Sequence, residues 1–306
     1  MTATLLIEQS LNGLQFGLML FLLAAGLTLV FGIMDMINLA HGSLYMLGAY
    51  LMATAVQATG SFLLGLPLAI LGTGLIGLLL EVSLLRRLYQ RDHLSHVLAT
   101  FALILIANEL VRMLWGAQPV MLSLPAALSG PVELMPGLYY PTYRLLIIGV
   151  GLAVALLLYW LVTRTRTGML VRAGASNREM ATALGVNIRS LFTAVFCVGA
   201  MLCAVAGALL GPLLAVQVGM GEEILILAFV VIVIGGIGSI RGALVGALLV
   251  GMADTMGRAF LPLLFRELLS PQYASGLGSG LASILIYLLM AAVLFWKPQG
   301  LFPARG

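Results

Sequence analysis

Apolar stretches of about twenty residues recur along the whole chain, and this repetition limits the fold more than any other feature. A helix needs about twenty apolar residues to cross the hydrocarbon core of a bilayer. The 306 residues are 62% hydrophobic and only 8% charged, which excludes an ordinary soluble domain. The apolar stretches are continuous runs of Leu, Ala, Val and Gly without the alternation of barrel strands. We therefore predict an all-α, polytopic transmembrane bundle.

Nine spans are predicted within a single transmembrane domain that covers residues 1–306. Two of them, 40–58 and 223–239, are short or interrupted by glycine and are candidates for broken helices, so the prediction allows eight to ten spans. The nine drawn spans are 11–33, 40–58, 62–84, 94–115, 144–162, 191–211, 223–239, 242–261 and 280–296.

The distribution of Lys and Arg predicts the orientation of the chain. Most basic residues fall on one side when the loop at 163–190 is placed in the cytoplasm, which puts the N-terminus outside and the C-terminus inside. The net charge of +4 then reflects topology and does not indicate a nucleic-acid partner. On the outer side, five prolines in residues 116–143 exclude a long helix and predict a stiff surface loop.

The loop at 163–190 is a basic segment with its own helix signals. Ser176 and Glu179 match a capping box at the start of a helix. Gly185 stands where a residue with left-handed backbone conformation would end that helix. The short helix between them carries a small apolar face formed by Met180, Ala183 and Leu184. Two interpretations follow: this helix lies flat on the membrane, or it presents its face to a partner protein.

A second polar group stands at the end of the first hydrophobic run. Asp35, Asn38 and His41 recur every three residues and precede Gly42, so a helical turn would place the three polar side chains on one face. Polar residues at membrane depth usually line a cavity or mark a functional site. We predict that these residues form an inner gate or part of a substrate path, or that they form a hydrogen-bonded turn that locks two helices together. We expect no metal site.

The other intramembrane charges have partners at helical spacing. Glu109 and Arg112 are three residues apart, and Asp254 and Arg258 are four apart, so both pairs are expected to form along a helix. Glu222 and Glu223 stand at a helix start, where negative charge is favourable, or face a binding protein. Because these charges are paired or explained by the helix dipole, a proton relay is not indicated.

The chain carries no nucleotide-binding loop of its own. Such a loop requires a lysine after its last glycine, and the only lysine here, Lys297, is followed by proline. The glycine-rich stretch at 235–239 lacks strand context and predicts close helix packing or a helix break. No pairing of a nucleophile with a base is readable either. We expect no enzymatic activity and no cofactor bound by this chain.

Four segments of the chain carry a joint sequence pattern. They are GLTLVFGIMDMINLAHGSLYMLGAYL at 26–51, RAGASNREMATALGVN at 172–187, VIVIGGIGSIRGALVGA at 231–247 and WKPQGLFPARG at 296–306. Together these segments resemble a known family, the LivH-type branched-chain amino acid permeases of bacterial ABC importers. They occur in the family's order and span nearly the whole chain. The second segment resembles the cytoplasmic coupling loop by which such permeases bind their ATPase.

The resemblance implies a docking role for the short helix and a set of partners. Ala175 to Gly185 would bind a cytoplasmic ATPase, with Arg172 and Arg178 at the rim of the contact. The docking residues implied in this way are Arg172, Ala175, Ser176, Asn177, Arg178, Glu179, Met180, Ala183, Leu184 and Gly185. The partners implied are a paralogous permease that forms a heterodimer with this chain, two ATP-binding subunits, a periplasmic solute-binding protein and the lipid bilayer, without nucleic acid.

The function implied is import of branched-chain amino acids across the bacterial inner membrane by alternating access, with ATP hydrolysed by the partner subunits. Permeases for urea, amides or other amino acids are similar in sequence, so the substrate stays open at this point. Two other classes are also open. An ion- or proton-coupled secondary transporter would carry unpaired membrane carboxylates and work without ATP, and a passive channel would leave the capped helix unexplained.

Overall fold

The structure is a computed structural model that describes residues 2–36, 38–89, 91–268 and 271–302. Ile37 and residues 303–306, which belong to the first and last quoted segments, lie outside the described residues. The chain forms the following helices: α1 (Thr2–Met34), α2 (His41–Thr59), α3 (Phe62–Leu80), α4 (Arg86–Leu88), α5 (His93–Trp115), α6 (Thr142–Arg164), α7 (Arg166–Ser176), α8 (Arg178–Ala183), α9 (Ile188–Leu210), α10 (Met220–Gly235), α11 (Ile240–Leu268) and α12 (Pro271–Trp296). A π-helical segment, Glu81–Leu85, joins α3 to α4.

A helix occupies each of the nine predicted span positions, which confirms the helical transmembrane class. Among the described residues, seven helices are long and apolar enough to cross a membrane. The helices at the remaining two of the nine span positions are α2, which has 19 residues and includes His41, and α10, which has 16 residues. These are the two segments for which the sequence predicts broken helices. The first helix begins at Thr2, well before the predicted residue 11.

Helices α1 and α9 form the centre of the bundle. In the most apolar stretch of each helix, 83% of the residues of α1 and 72% of those of α9 are buried, whereas only 17% are buried in α5 and in α12. The two central helices cross where Gly26 meets Gly199: a Cβ at position 26 would lie 2.9 Å from the carbonyl oxygen of Gly199. Small residues at such a crossing let two backbones approach closely, which is how helices associate in lipid.

The two short helices begin inside the bundle. His41, the first residue of α2, lies against the crossing of Gly26 and Gly199. At 1.5 Å per residue, this crossing is about 12 Å from the end of α1 and about 16 Å from the start of α9. Both of those helix ends lie at the basic end of the bundle, meaning the end that carries residues 163–190, since Gly174 packs beside Ile188 and Ile33.

The short helices meet at their N-termini and then diverge. A Cβ on Gly42 would lie 2.3 Å from the carbonyl oxygen of Gly221, so the first turns of α2 and α10 are in direct backbone contact. Helix α2 then runs beside α9 away from the basic end, with Gly48 against Ala204. Helix α10 runs the other way and ends at Gly235, beside the start of α11. We call the contact between Gly42 and Gly221 the helix junction.

The predicted proline-rich segment, 116–143, contains no long helix, as expected. It holds a single 3₁₀ turn, Ala126–Leu128, and a two-stranded antiparallel hairpin that the sequence did not predict. The hairpin strands are β1 (Pro131–Met135) and β2 (Leu138–Pro141). Val120 also pairs with Val216, in the loop after α9. These backbone contacts hold the segment onto the end of the bundle opposite the basic end.

The C-terminal tail closes the end of α10. The backbone N–H groups of Leu301 and Phe302 donate to the carbonyls of Ile234 and Gly235, both at 2.9 Å. The last carbonyls of a helix have no partner within the helix. The Pro-Gln-Gly-Leu-Phe motif therefore satisfies the backbone of α10 and fastens the tail to the basic end.

Candidate functional site

The basic segment holds two helices, whereas the sequence predicts one. Helix α7 begins after Thr165, whose hydroxyl accepts a hydrogen bond from the N–H of Gly168 at 3.1 Å. Thr165 is thus the N-cap of α7, whereas the prediction places a cap only at Ser176. Val171 and Gly174 bury one side of α7 against the bundle. Helix α8 follows directly, so the segment forms a platform of two consecutive helices at the basic end.

The predicted capping box at Ser176 is wrong by one residue. Ser176 is the last residue of α7, and the N-cap of α8 is Asn177, whose Oδ1 accepts from the N–H of Met180 at 2.9 Å. Asn177 has the extended backbone of an N-cap, with φ −153° and ψ 105°. Because α7 continues through Ser176, the serine has helical geometry and cannot serve as a cap. Glu179 stands in the first turn of α8, where its negative charge suits the helix dipole.

The predicted stop at Gly185 is confirmed. Gly185 has φ +87°, and its N–H donates to the carbonyl of Thr182 at 2.9 Å. The N–H of Val186 donates to the carbonyl of Ala181 at 3.0 Å. This pair of bonds is the Schellman arrangement, which favours glycine because a left-handed backbone clashes with a Cβ. Helix α8 is thus closed at both ends by its own sequence.

Helix α8 is anchored on one side and exposes apolar side chains on the other. Ala181 is buried against the bundle, whereas Met180 is 59% exposed and Leu184 is 78% exposed. Ala183 and Glu179 are also exposed. The predicted apolar face therefore points away from the chain. We call this exposed set, Met180, Ala183 and Leu184, the docking face.

Arg178 connects α8 to the core of the bundle. Its Nε donates to the carbonyl oxygen of Ile33 at 3.2 Å, at the last turn of α1. Its guanidinium also lies 5.2 Å from the centre of the Phe192 ring, on α9. Arg172, by contrast, is exposed and donates to the carbonyl of Val162 at the end of α6. Only Arg178 of these two predicted rim residues ties the platform to α1.

The predicted common face of Asp35, Asn38 and His41 is not formed. The backbone after Met34 leaves the helix, and Asp35 has φ +50°, which turns the chain back into the bundle. Asp35 is consequently exposed, whereas Asn38 and His41 are fully buried. The three-residue spacing would align these side chains only in a continuous helix. Asn38 instead acts locally, because its Oδ1 accepts from the N–H of Ala40 at 3.1 Å at the entrance to α2.

His41 packs where three helices converge. A Cβ at Gly26 would lie 2.8 Å from its Nε2, and a Cβ at Gly199 would lie 3.4 Å from its Cε1. Neither ring nitrogen makes a hydrogen bond of acceptable geometry among the described residues, and the Nδ2 of Asn38 lacks one as well. The ring packs between α1, α2 and α9. The hydrogen bonds of the predicted turn are made by Asn38 and the backbone N–H groups of Ala40 and His41, and not by the His41 ring.

An open cleft of about 970 Å³ at the basic end is lined by residues of the predicted docking segment and, from the predicted gate, by Asp35. Asp35 lines it from the end of α1, and Arg172, Ala175 and Ser176 line it from α7. Arg241, at the start of α11, lines another wall and lies 5.5 Å from the centre of the Tyr159 ring. Segments that are far apart in sequence thus share one opening at the basic end.

Glu81 is a buried carboxylate that the predicted charge pairs do not include. Its side chain is fully buried in the π-helical segment and pairs with Arg86 at 3.1 Å. It also accepts hydrogen bonds from the hydroxyls of Tyr89, at 2.7 Å, and Thr193, at 2.8 Å. Glu81 and Arg86 are five residues apart, which an α-helix does not align. The wider π-helical turn brings them together, so a search for pairs three or four apart overlooks them.

The ion pairs that were predicted are confirmed. Arg112 lies 2.8 Å from Glu109, and Arg258 lies 2.9 Å from Asp254. Glu222, in the first turn of α10, accepts from the side-chain amide of Asn108 at 2.5 Å.

Comparison with known proteins agrees with this architecture. Residues 9–294 match the family model described as "Branched-chain amino acid transport system / permease component". The high-affinity branched-chain amino acid permease protein BraD of Pseudomonas aeruginosa is 30% identical over 309 residues, which covers 96% of this chain and 95% of the relative. LivH of Escherichia coli (strain K12) is 30% identical over 284 residues, covering 86% and 90%.

Two further comparisons define the limits of the similarity. The fructose import permease FrcC of Rhizobium meliloti is 36% identical over 103 residues, but this covers only 31% of the chain and 29% of the relative. No solved structure matches the chain. The family match extends over nearly all of the described helices, including both short helices and the platform of α7 and α8. The chain therefore belongs to the permease component family of branched-chain amino acid transport systems.

Proposed function

We propose that the chain is the membrane-spanning permease subunit of an ATP-driven importer for branched-chain amino acids. The observation that carries this proposal is the docking face, an exposed apolar surface on a capped helix outside the spans. An isolated helix of six residues is unstable in water, so its ends and its anchor must hold it in place. The caps at Asn177 and Gly185 and the contacts of Arg178 meet this need.

The partner of the docking face is an ATPase in this proposal. Transport against a gradient needs an energy source, and the sequence contains no nucleotide-binding loop. Two ATP-binding subunits on the cytoplasmic side would bind this chain and a paralogous permease, and a periplasmic binding protein would deliver the solute. The basic end then lies in the cytoplasm, in agreement with the excess of Lys and Arg there. The membrane is the bacterial inner membrane, and ATP is hydrolysed only by the partner subunits.

The helix junction supplies a gate for alternating access. In this structure, Gly42 and Gly221 are in backbone contact, which leaves no room for a solute between the two short helices. Each short helix packs against a different neighbour, α2 against α9 and α10 against α11. A rotation of α9 relative to α11 would therefore separate the two N-termini. Asn38, His41 and Gly42 would move with α2, and Asp35 would lie at the inner opening.

The proposed substrate class is zwitterionic and apolar, which suits a path with few charges. Two relatives that cover most of the chain are named as branched-chain amino acid permeases. Urea, amides and other amino acids are the alternatives within this class of importer, because the binding protein selects the solute.

Reconstitution tests the proposal directly. The complex of this chain with its partner permease, ATPases and binding protein should take up labelled leucine into proteoliposomes only when ATP is supplied. Uptake driven by an ion gradient without ATP would identify a secondary transporter instead. Co-elution of a bound solute with the binding protein would decide between leucine, urea and amides.

The docking claim has its own variant. Glu179→Arg together with Gly185→Val places a cation in the first turn of α8 and a β-branched residue at φ +87°. We expect this double variant to lose uptake while the binding protein still captures the solute. Normal uptake by the double variant would contradict docking through α8.

A further inference from the structure

Arg178 stands where its own helix disfavours it. It is the first residue of α8, and the N-terminus of a helix carries partial positive charge that disfavours a cation. The charge is placed there by contacts outside α8, with Ile33 and with Phe192. A local preference that is overridden in this way often marks a functional position.

The end of α1 lacks a cation of its own. The last turn of α1 contains no basic residue, although its unpaired carbonyls carry partial negative charge. Arg178 supplies that charge from α8 by donating to the carbonyl of Ile33, 145 residues away in sequence. Two residues beyond Ile33 the chain turns at Asp35 and enters the loop that leads to His41 and the helix junction.

The second contact of Arg178 leads into a buried polar network. Phe192 is packed edge-on by Tyr89, with ring centres 5.3 Å apart. The hydroxyl of Tyr89 donates to Glu81, which also holds Arg86 and Thr193. Burial is the largest cause that raises the pKa of Tyr89 well above its ordinary value, and the hydrogen bond to Glu81 is the next. This phenol therefore remains a donor. One arginine thus connects α8 to α1, to α9 and, through Tyr89, to the π-helical segment.

We propose that Arg178 is the positioning residue that transmits displacement of the docking helix to the helix junction, and that Phe192, Tyr89 and Glu81 form the rigid support against which it acts. We call these four residues the relay. This inference rests on the proposed function and adds to it the side chains that carry the coupling. Pulling on α8 displaces the carbonyl of Ile33, and with it the turn at Asp35 and the first residues of α2. The buried network keeps Phe192 in place while this occurs.

The test measures the number of leucine molecules imported per ATP hydrolysed by the complete complex in proteoliposomes. Arg178→Gln removes the charge and the ring contact, and we expect the ratio to fall about tenfold, within the range of known coupling effects. Arg178→Lys keeps the cation and should restore part of the ratio. Tyr89→Phe removes only a hydroxyl outside the docking face, and it should also lower the ratio.

The matched control is Arg189→Gln. Arg189 is an exposed arginine of the same basic segment, and within the described part of the chain its side chain makes no hydrogen bond or ion pair. We expect its ratio to equal that of the wild type. A double-mutant cycle adds a readout that simple destabilisation would not produce, because Arg178→Gln and Tyr89→Phe should combine less than multiplicatively if they act through Phe192.

The outcomes separate the two claims. If the wild-type complex imports leucine with ATP but Arg178→Gln and Tyr89→Phe both keep the wild-type ratio, the relay is wrong and the proposed function stands. An equal loss in Arg189→Gln would also overturn the relay, because the effect would then belong to the charge of the segment as a whole. A wild-type complex without ATP-driven uptake would overturn the proposed function, and the relay with it.

Discussion

The contact between Gly42 and Gly221 gives the sharpest stability prediction. Replacing Gly42 by alanine adds a Cβ that would lie 2.3 Å from the carbonyl oxygen and 2.8 Å from the carbonyl carbon of Gly221. A carbon and an oxygen normally approach no closer than about 3.3 Å, so the two helices must separate by about 1 Å. Neither contact atom belongs to a flexible side chain, and rotation of a side chain cannot relieve the overlap.

The size of the effect follows from two opposing contributions. Overpacking in a well-packed core costs about 1–3 kcal/mol, and a contact between two backbones belongs at the upper end. Replacing glycine by alanine in a helix returns about 0.5–1 kcal/mol. We therefore expect Gly42→Ala to lower the free energy of unfolding by about 2 kcal/mol, an estimate obtained from these two ranges.

Gly149→Ala is the matched control for this variant. Gly149 lies within α6, and no heavy atom comes within 4 Å of a Cβ placed there. The same substitution should raise the free energy of unfolding by about 0.5–1 kcal/mol at this site. Titration of the purified chain with a denaturing detergent, followed by circular dichroism, compares the two variants. Equal or greater stability of Gly42→Ala than of Gly149→Ala would refute the close approach of α2 and α10.

The other predictions concern the cap, the buried carboxylate and the docking face. Asn177→Ala should lower the protection of the α8 amides from hydrogen exchange by about 1 kcal/mol. Ser176→Ala should leave this protection unchanged. A loss of protection in Ser176→Ala and none in Asn177→Ala would restore the capping box at Ser176. Glu81→Ala should destabilise the chain by about 3 kcal/mol in the same detergent titration, because it breaks a buried ion pair. This value is at the low end for such pairs, since the Arg86 side chain is 35% exposed. An unchanged unfolding midpoint would contradict the network. Leu184→Asp should abolish co-purification of the ATPase without changing the unfolding midpoint, since this side chain is 78% exposed, and retained binding would exclude the docking face.

Local signals predicted the parts of this protein that depend on neighbouring residues. The nine helix positions follow from hydropathy, and the stop at Gly185 follows from the steric freedom of one residue. The pairs Glu109–Arg112 and Asp254–Arg258 follow from helical spacing. Each of these features is decided within a few residues of the chain, so no knowledge of the tertiary structure was needed.

The errors arose where a local signal had two solutions. Ser176 and Asn177 are adjacent and both favour N-caps, and the choice between them depended on how far α7 continues. The spacing of Asp35, Asn38 and His41 fits one face of a helix, but the chain leaves the helix at Met34 and turns at Asp35. The pair of Glu81 and Arg86 does not follow from α-helical spacing, because a π-helical turn changes which residues are neighbours. In each case the packing of the bundle selected the conformation.

The sequence by itself determined that this chain is a helical membrane protein with a capped, basic segment at one end, because hydrophobicity and capping act over short distances. The tertiary structure alone decided that two short helices meet at Gly42 and Gly221, and that Arg178 reaches Ile33, 145 residues away. Contacts between residues so distant in sequence depend on how all the helices pack together. No pattern within a single segment records that arrangement, and the contact between α2 and α10 and the tie from α8 to α1 therefore became visible only in the folded bundle.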